Sequence, residues 1–397
     1  MALRDLTTDY AGRGTPMFRL ALKTGVLTVL TLGFYRFWMK TRMRRYYWSA
    51  IRPGGQPLEF TGRPTEMLTG FLTAVVVLAF YIGLVNLILM FLSFSLFGGD
   101  APAYLLSFLG LVPMIFFAQY RARRYILART RWRGIRFGLE PGVKGYVWRA
   151  SLWWIVTILS AGILWPVKTF ELEKYRTDRT WYGDQRFEQT GGRWSLMGAM
   201  KHVYIAAALI GAGSAAAALL EQPIWFVATA MGAAWAPLGL AHWKAESFKR
   251  LTEGKRLGEA GFRCRPRGGR IVAIYLLGGL AIAGLLIALL FALGMGIGIL
   301  LSVFDPELIA QGFDDLASLA ALPAWVATMA GLTAYFAAFL FWGVLREVFI
   351  TMPVARHLAE STEIVNPDAL NAIRQRPRDE FAEAEGFADA LPLGDGI

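Results

Sequence analysis

Cysteine is almost missing from this chain. A single one, Cys264, stands among 397 residues, so neither an intrachain disulfide nor a cysteine-based metal cage can form. Histidine is nearly as scarce: His202, His242 and His357 lie far apart and match no HExxH-type spacing. Walker, GxSxG and GxGxxG patterns are absent, which removes the common phosphate loops and the serine-nucleophile elbow. No catalytic residue, cofactor or metal is expected, and the chain is read as a non-enzyme. Charge is thin as well, at 18% of residues against 55% hydrophobic, with a mean hydropathy of +0.43. Those proportions exclude an ordinary soluble domain.

What the sequence has instead is long apolar runs. A bilayer core about 30 Å thick takes roughly 20 residues of helix, and six stretches approach or exceed that: Met67 to Phe97, Pro102 to Gln119, Met200 to Leu220, Pro223 to Ala241, Ile271 to Phe304 and Pro323 to Leu345. None carries Asp or Glu away from its ends. A proton-coupled carrier, which keeps an ionisable group inside the membrane, is therefore disfavoured. Asn86 is the main strongly polar side chain within a run and reads as an interhelical hydrogen-bonding residue. Gly294, Gly296 and Gly298 read as a close-packing surface. The first residues, MALRDLTTDYAGRGTPMFRL, lack a compact apolar core followed by a small-residue cleavage site, so a removable signal peptide is not expected.

The net charge of +12 would suit a nucleic-acid binder, but its placement decides otherwise. Lys and Arg cluster at the ends of apolar runs, from Arg36 to Arg63, Arg121 to Arg136 and Lys244 to Arg270, where the positive-inside rule puts cytoplasmic flanks. Connections around Asp100, around Glu221 and from Asp305 to Pro323 contain acids without Lys or Arg, and so face outward. Three antiparallel helical hairpins result. No nucleic-acid partner is expected; the partner is the lipid bilayer, and Arg44, Arg45, Arg123 and Arg124, interleaved with aromatics, are candidate contacts for anionic headgroups. Lys201-His202 and His242-Trp243-Lys244 fall at helix ends where they could meet on the cytoplasmic side.

Two segments are shorter. Gly25 to Tyr35 spans about 16 Å as helix and either crosses or re-enters. Ala150 to Val167, crossing alone, would throw the basic stretch from Lys244 to Arg270 outside, so it is read as entering and returning. Laying TVLTLGFYRFWMKTRMRRYYW beside VTILSAGILWPVKTFELEKYR sets Gly33 on Gly162, and Gly33, Gly162 and Pro166 are the expected helix-break positions. After each foot a second pattern recurs: Tyr125, Thr130, Gly134 and Phe137 echo Tyr175, Thr180, Gly183 and Phe187. Tyr46 to Phe60 and Phe248 to Phe262 repeat a longer version. These read as short cytoplasmic β-hairpins turning at WRG, YGD and RPGGQP, or as irregular loops.

Thr31-Leu32-Gly33-Phe34-Tyr35, then Trp38, Arg42, Arg45-Tyr46 and Phe60-Thr61-Gly62, resemble the repeated signature of the YjgN family, a bacterial group of unknown function also called DUF898. The resemblance covers about residues 18 to 355 and is degraded in the second copy to Ser160-Ala161-Gly162-Ile163. The terminal AEGFADALPLGDGI is similar to the family's acidic tail. The resemblance implies a multi-pass inner-membrane protein and no catalytic residues.

The expected architecture is an all-α polytopic membrane protein with about six transmembrane helices in three hairpins, two shorter broken or re-entrant segments, and small cytoplasmic β-hairpins. A cytoplasmic segment, 1–17, precedes the membrane domain, 18–355, and an acidic flexible tail, 356–397, follows it. Two functions stand open. One is a conduit or carrier for a small or lipid-like solute, favoured by the pseudo-repeats; the other is a non-catalytic scaffold for another membrane protein, favoured by the lack of intramembrane ionisable groups.

Overall fold

Each basic foot of the chain gives way to a few residues in which aromatic or β-branched side chains alternate with polar ones, and this period-two pattern folds as strand. The structure, a computed structural model, describes residues 5–98, 101–304 and 324–376. Among them are ten strands: β1 (Leu6–Tyr10), β2 (Ile51–Pro53), β3 (Leu58–Phe60), β4 (Thr130–Trp132), β5 (Ile135–Leu139), β6 (Thr180–Tyr182), β7 (Gln185–Gln189), β8 (Lys255–Leu257), β9 (Ala260–Cys264) and β10 (Thr362–Val365). The all-α expectation is thereby corrected. These are not separate hairpins: all ten join in one antiparallel sheet of order β2-β1-β10-β9-β8-β7-β6-β5-β4-β3. Its end strands, β2 and β3, are separated in the chain only by the turn at Gly54 and Gly55, so the sheet comes back nearly to its start.

The connections follow one rule. Turns of two residues join β4 to β5, β6 to β7 and β8 to β9. Arg133 and Gly134 both take positive φ, as a type I′ turn demands. The RPGGQP loop does not close a hairpin; it hands β2 to β1 and β3 to β4. Every other pairing, β1–β2, β3–β4, β5–β6, β7–β8 and β9–β10, spans an inserted helical segment, and β10 with β1 joins the two ends of the sequence.

The register sets one face of the sheet against its own core. Leu6 opposes Ile364, Leu58 opposes Trp132, Phe137 opposes Tyr182 and Phe187 opposes Leu257, and residues directly opposite share a face. All eight belong to a single apolar cluster, into which the 3₁₀ turn Pro367–Ala372 and its successor send Leu370 and Ile373. The interior is filled with side chains, as in small barrels, and is not a pore. Residues 356–376, at the start of the expected tail, thus contribute a strand and part of this core; the rest of the tail lies outside the described residues.

The helices inserted between strands are α1 (Gly14–Leu30) and α2 (Arg36–Ala50); α3 (Pro64–Phe80) and α4 (Asn86–Phe97), joined by a π turn, then α5 (Ala101–Ala128); α6 (Val143–Leu159) and α7 (Trp165–Thr177); α8 (Lys201–Leu220) and α9 (Phe226–Glu253); and α10 (Gly268–Phe304), α11 (Ala324–Arg346) and α12 (Met352–Glu360). Five stretches among the described residues are long and apolar enough to cross a membrane: Pro64–Phe97, Met197–Leu220, Pro223–Glu253, Gly268–Ile299 and Trp325–Glu360. The sixth apolar run lies in α5 but is not one of the five.

By contacts the chain divides into two units. One takes Met1–Gly12, Arg44–Val272 and Arg356–Ile397, and so holds the sheet with α3 to α9; the other takes Arg13–Met43 and Ala273–Ala355. In the first, α8 and α9 approach so closely that a Cβ on Gly232 would come within 2.9 Å of the Ala206 carbonyl, the small-residue packing expected of membrane helices. In the second, α1 lays Met17, Ala21, Thr24 and Gly25 inward, with Gly25 against Leu340 of α11.

Candidate functional site

The two short apolar segments break in the same way, bond for bond. In α6, Gly162 N–H donates to Thr157 O and Ala161 N–H to Ile158 O, the six-to-one and five-to-two bonds of a Schellman turn. In α1, Gly33 donates to Thr28 and Leu32 to Val29. Ala161 (φ 48°) and Leu32 (φ 50°) occupy the left-handed position usually given to glycine, and the glycines follow at φ 83° and 94°. Thr31 Oγ1 accepts from Tyr35 N at 2.9 Å and Ser160 Oγ from Leu164 N at 3.2 Å, so each turn is tied by a hydroxyl to the returning helix. Gly33 and Gly162 thus lie within the breaks. Pro166 lies just after, in the first turn of α7, where a proline lacks no needed N–H.

Both turns expose apolar side chains. Leu32 is 91% exposed and Leu159 81%. Tips of this kind belong in hydrocarbon rather than water.

Just past the second tip lies a lysine without a counter-ion among the described residues. Lys168, in the first turn of α7, is only 4% exposed. Its Nζ stands 3.5 Å from the ring centre of Trp154 and 3.4 Å from that of Trp165. The two indoles meet edge to face at 5.5 Å, and Phe116 of α5 stacks on Trp154. Such contacts contribute up to about 2 kcal/mol each when desolvated. Withdrawing an ammonium from water costs several kcal/mol even after relaxation, so the cage offsets only part of that cost.

Below the cage, α5, α6 and α7 pack through tyrosines: Tyr120, Tyr146 and Tyr175 are buried together, with Tyr120 Oη donating to Glu140 O at 2.7 Å and Tyr175 Oη to Gly142 O at 2.8 Å. At the foot, buried Glu173 meets three cations: Arg176 at 2.8 Å, Lys255 of β8 at 2.9 Å and Arg123 of α5 at 3.6 Å. Burial pushes its carboxyl upward, but Lys255, Arg176 and Arg123 outweigh that and hold it well below the usual range. This cluster ties two helices to the sheet.

The candidate headgroup arginines are thus in unequal positions. Arg123 is committed to Glu173. Arg45 donates to Gly62 O at 2.8 Å, and Arg44 covers the rings of Trp48 and Phe60. Arg124 is half-buried, with a buried Nε that has no hydrogen-bond partner among the described residues. His202 and His242 do come together, ring centres 4.7 Å apart and nearly perpendicular. His357 accepts from Arg267 N at 2.9 Å instead. No group of three or more His, Cys, Asp or Glu among the described residues could hold a metal. Asn86 directly follows the π turn Tyr81–Val85, and its buried Oδ1 has no hydrogen-bond partner among the described residues.

In the sequence Lys168 stands only as the residue that ends the apolar run Ala150 to Val167. The signal lay in the tryptophans at 154 and 165, which an antiparallel return at Gly162 must bring near each other.

Five membrane-length helices inserted between strands of one sheet define a multi-pass membrane protein. The sequence pattern of a bacterial protein family of unknown function, DUF898, matches residues 5–390, and the chain belongs to that family. It is similar to the inner membrane protein YjgN of Salmonella typhimurium strain LT2, 27% identical over 147 residues, 36% of this chain and 33% of that protein. The inner membrane protein YjgN of Escherichia coli O157:H7 is 26% identical over 154 residues, 38% and 33% of the respective chains. These matches span about a third of the relatives' length. No solved structure matches. The protein is accordingly a multi-pass protein of the inner membrane, in contact with its lipid.

Proposed function

We propose that this protein is a non-catalytic carrier for a lipid-like solute, built around the pairs α1–α2 and α6–α7. The observation that supports this reading is the shared Schellman turn with its exposed apolar tip. With Arg149 at headgroup level, the ten residues from Ala150 to Leu159 reach about 15 Å inward, roughly half the bilayer core. A wedge that stops there thins and disorders the surrounding lipid at modest cost. It also lines no aqueous path, because its tip presents Leu159 and Ile163 outward, so a carrier for lipid fits better than a channel for a small polar solute. Of the four candidate headgroup arginines, Arg124 has a buried Nε without a hydrogen-bond partner among the described residues, whereas Arg123 serves Glu173 and Arg45 holds Gly62 O.

Reconstitution into liposomes bearing a headgroup-labelled lipid tests the reading. An impermeant quencher added outside removes about half the signal when lipids stay in their leaflets. Loss well beyond half is expected with this protein. A half-loss equal to that of protein-free vesicles refutes the carrier, and stoichiometric capture of one membrane protein by crosslinking would then favour the scaffold.

A further inference from the structure

We propose that Lys168, held between Trp154 and Trp165, anchors an anion-binding site that takes the phosphate group of a membrane lipid. The inference rests on the lipid-carrier reading above and names the group such a carrier would hold.

Lys168 stands without an anionic partner among the described residues. Its Nζ makes no hydrogen bond or ion pair among the described residues, only the two ring contacts. The acids of its own helix are engaged elsewhere: Glu171 with Arg193 at 3.5 Å, and Glu173 with its three cations. The first turn of a helix is also the wrong end for a cation, because the positive end of the helix dipole lies there. A bare ammonium in this position adds to that positive potential, and both draw an anion.

The two helical pairs differ at this position. An offset of 129 residues superposes their turn bonds, and it carries Thr28 to Thr157 and Met39 to Lys168. Thr28 Oγ1 donates to Thr24 O, and Thr157 Oγ1 to Trp153 O, in the same register. The matching position of the first pair therefore holds an uncharged side chain, with Met39 Sδ 3.8 Å from Thr28 Oγ1. The fold has no need of a charge at this place. The apolar tip suits an anion that comes from a lipid. Trp165, which covers the ammonium, is itself 37% exposed, and the neighbouring turn of the chain exposes Leu159 and Ile163. Such a collar suits acyl chains beside the phosphate.

Native mass spectrometry of the full-length protein tests this, with phosphatidylglycerol in one arm and inorganic phosphate in the other. Lys168→Met is the informative variant, since Met is what the equivalent position already accommodates; Lys168→Gln is a second neutral variant should the first fail to accumulate. Wild type and Lys168→Arg are expected to retain phosphatidylglycerol, and the neutral variants to lose at least tenfold in retained lipid with unchanged melting. Displacement of that lipid by millimolar phosphate would support the site while making its source soluble. Equal retention by wild type and a folded neutral variant overturns the site. The outcome is separable from the carrier reading: lipid lost with Lys168 in a protein without transfer activity sinks the carrier alone, and transfer with Lys168-independent binding sinks this site alone.

Discussion

Replacing Glu173 with Gln removes one charge and almost no volume, and the structure sets the size of the effect. The carboxylate faces Arg176, Lys255 and Arg123 at 2.8, 2.9 and 3.6 Å. Removing it leaves three cations gathered in a buried place. Breaking a buried pair costs about 3–5 kcal/mol, and because Arg176 and Lys255 each keep a quarter of their side chains exposed, the lower end, about 3 kcal/mol, is expected. At roughly 2 °C per kcal/mol for a large domain, purified Glu173→Gln should melt about 6 °C below wild type at pH 7. Adding Lys255→Met should recover part of that by removing one uncompensated cation. The pH profile gives an independent check. A carboxyl whose folded pKa is depressed contributes its full stability above the unfolded value, about 4.3 for Glu, and loses it progressively as the pH falls from there toward the folded value. Wild type should therefore lose its advantage over the Gln variant below about pH 4. A difference under about 1 °C at pH 7, or a gap that persists unchanged into acid, would refute the reasoning.

The paired turns predict opposite signs at adjacent residues. Gly162→Ala should cost about 1 kcal/mol through its positive φ alone, since a Cβ there meets nothing within 4 Å, whereas Ala161→Gly should stabilise by up to about 1 kcal/mol; thermal melts of both variants read this, and equal signs would contradict it. Cys264, fully buried in β9 with its thiol pushed up by burial, should resist maleimide even in opened cells. A cysteine placed at exposed Glu259 in a Cys264→Ser background should label only after the cells are opened; labelling of intact spheroplasts would reverse the assigned orientation.

Apolar length and basic flanks made the membrane class legible in the sequence, because hydrocarbon leaves a helix few alternatives. The break at Gly33 and Gly162 was legible through the repeat. The sheet was not. The hairpins at WRG and YGD were legible from their turns, but strands such as Thr130–Trp132 and Thr180–Tyr182 are three residues long, and what joins them into one sheet is neighbours at distant sequence positions. Leu6 against Ile364 is a pairing that no local pattern announces. Cys264 and Glu173 show the same limit from another side, since each looks like part of a solvated basic or charged flank until partners from elsewhere in the chain bury it. The sequence could mark Arg123 as a foot residue, but only the fold shows that its charge is already spoken for.

The pairing of β1 with β10 has a consequence in time. The ribosome makes Leu6 some 350 residues before Ile364, an interval of roughly 20–70 s at common rates of synthesis. β2 is available to β1 almost at once, and each helical pair can enter the bilayer as it emerges, but the other edge of β1 stays open until the last strand arrives. For that interval the nascent protein presents an unpaired edge, the kind of edge that recruits strands from other chains, and that edge is sealed only once Thr362–Val365 has emerged.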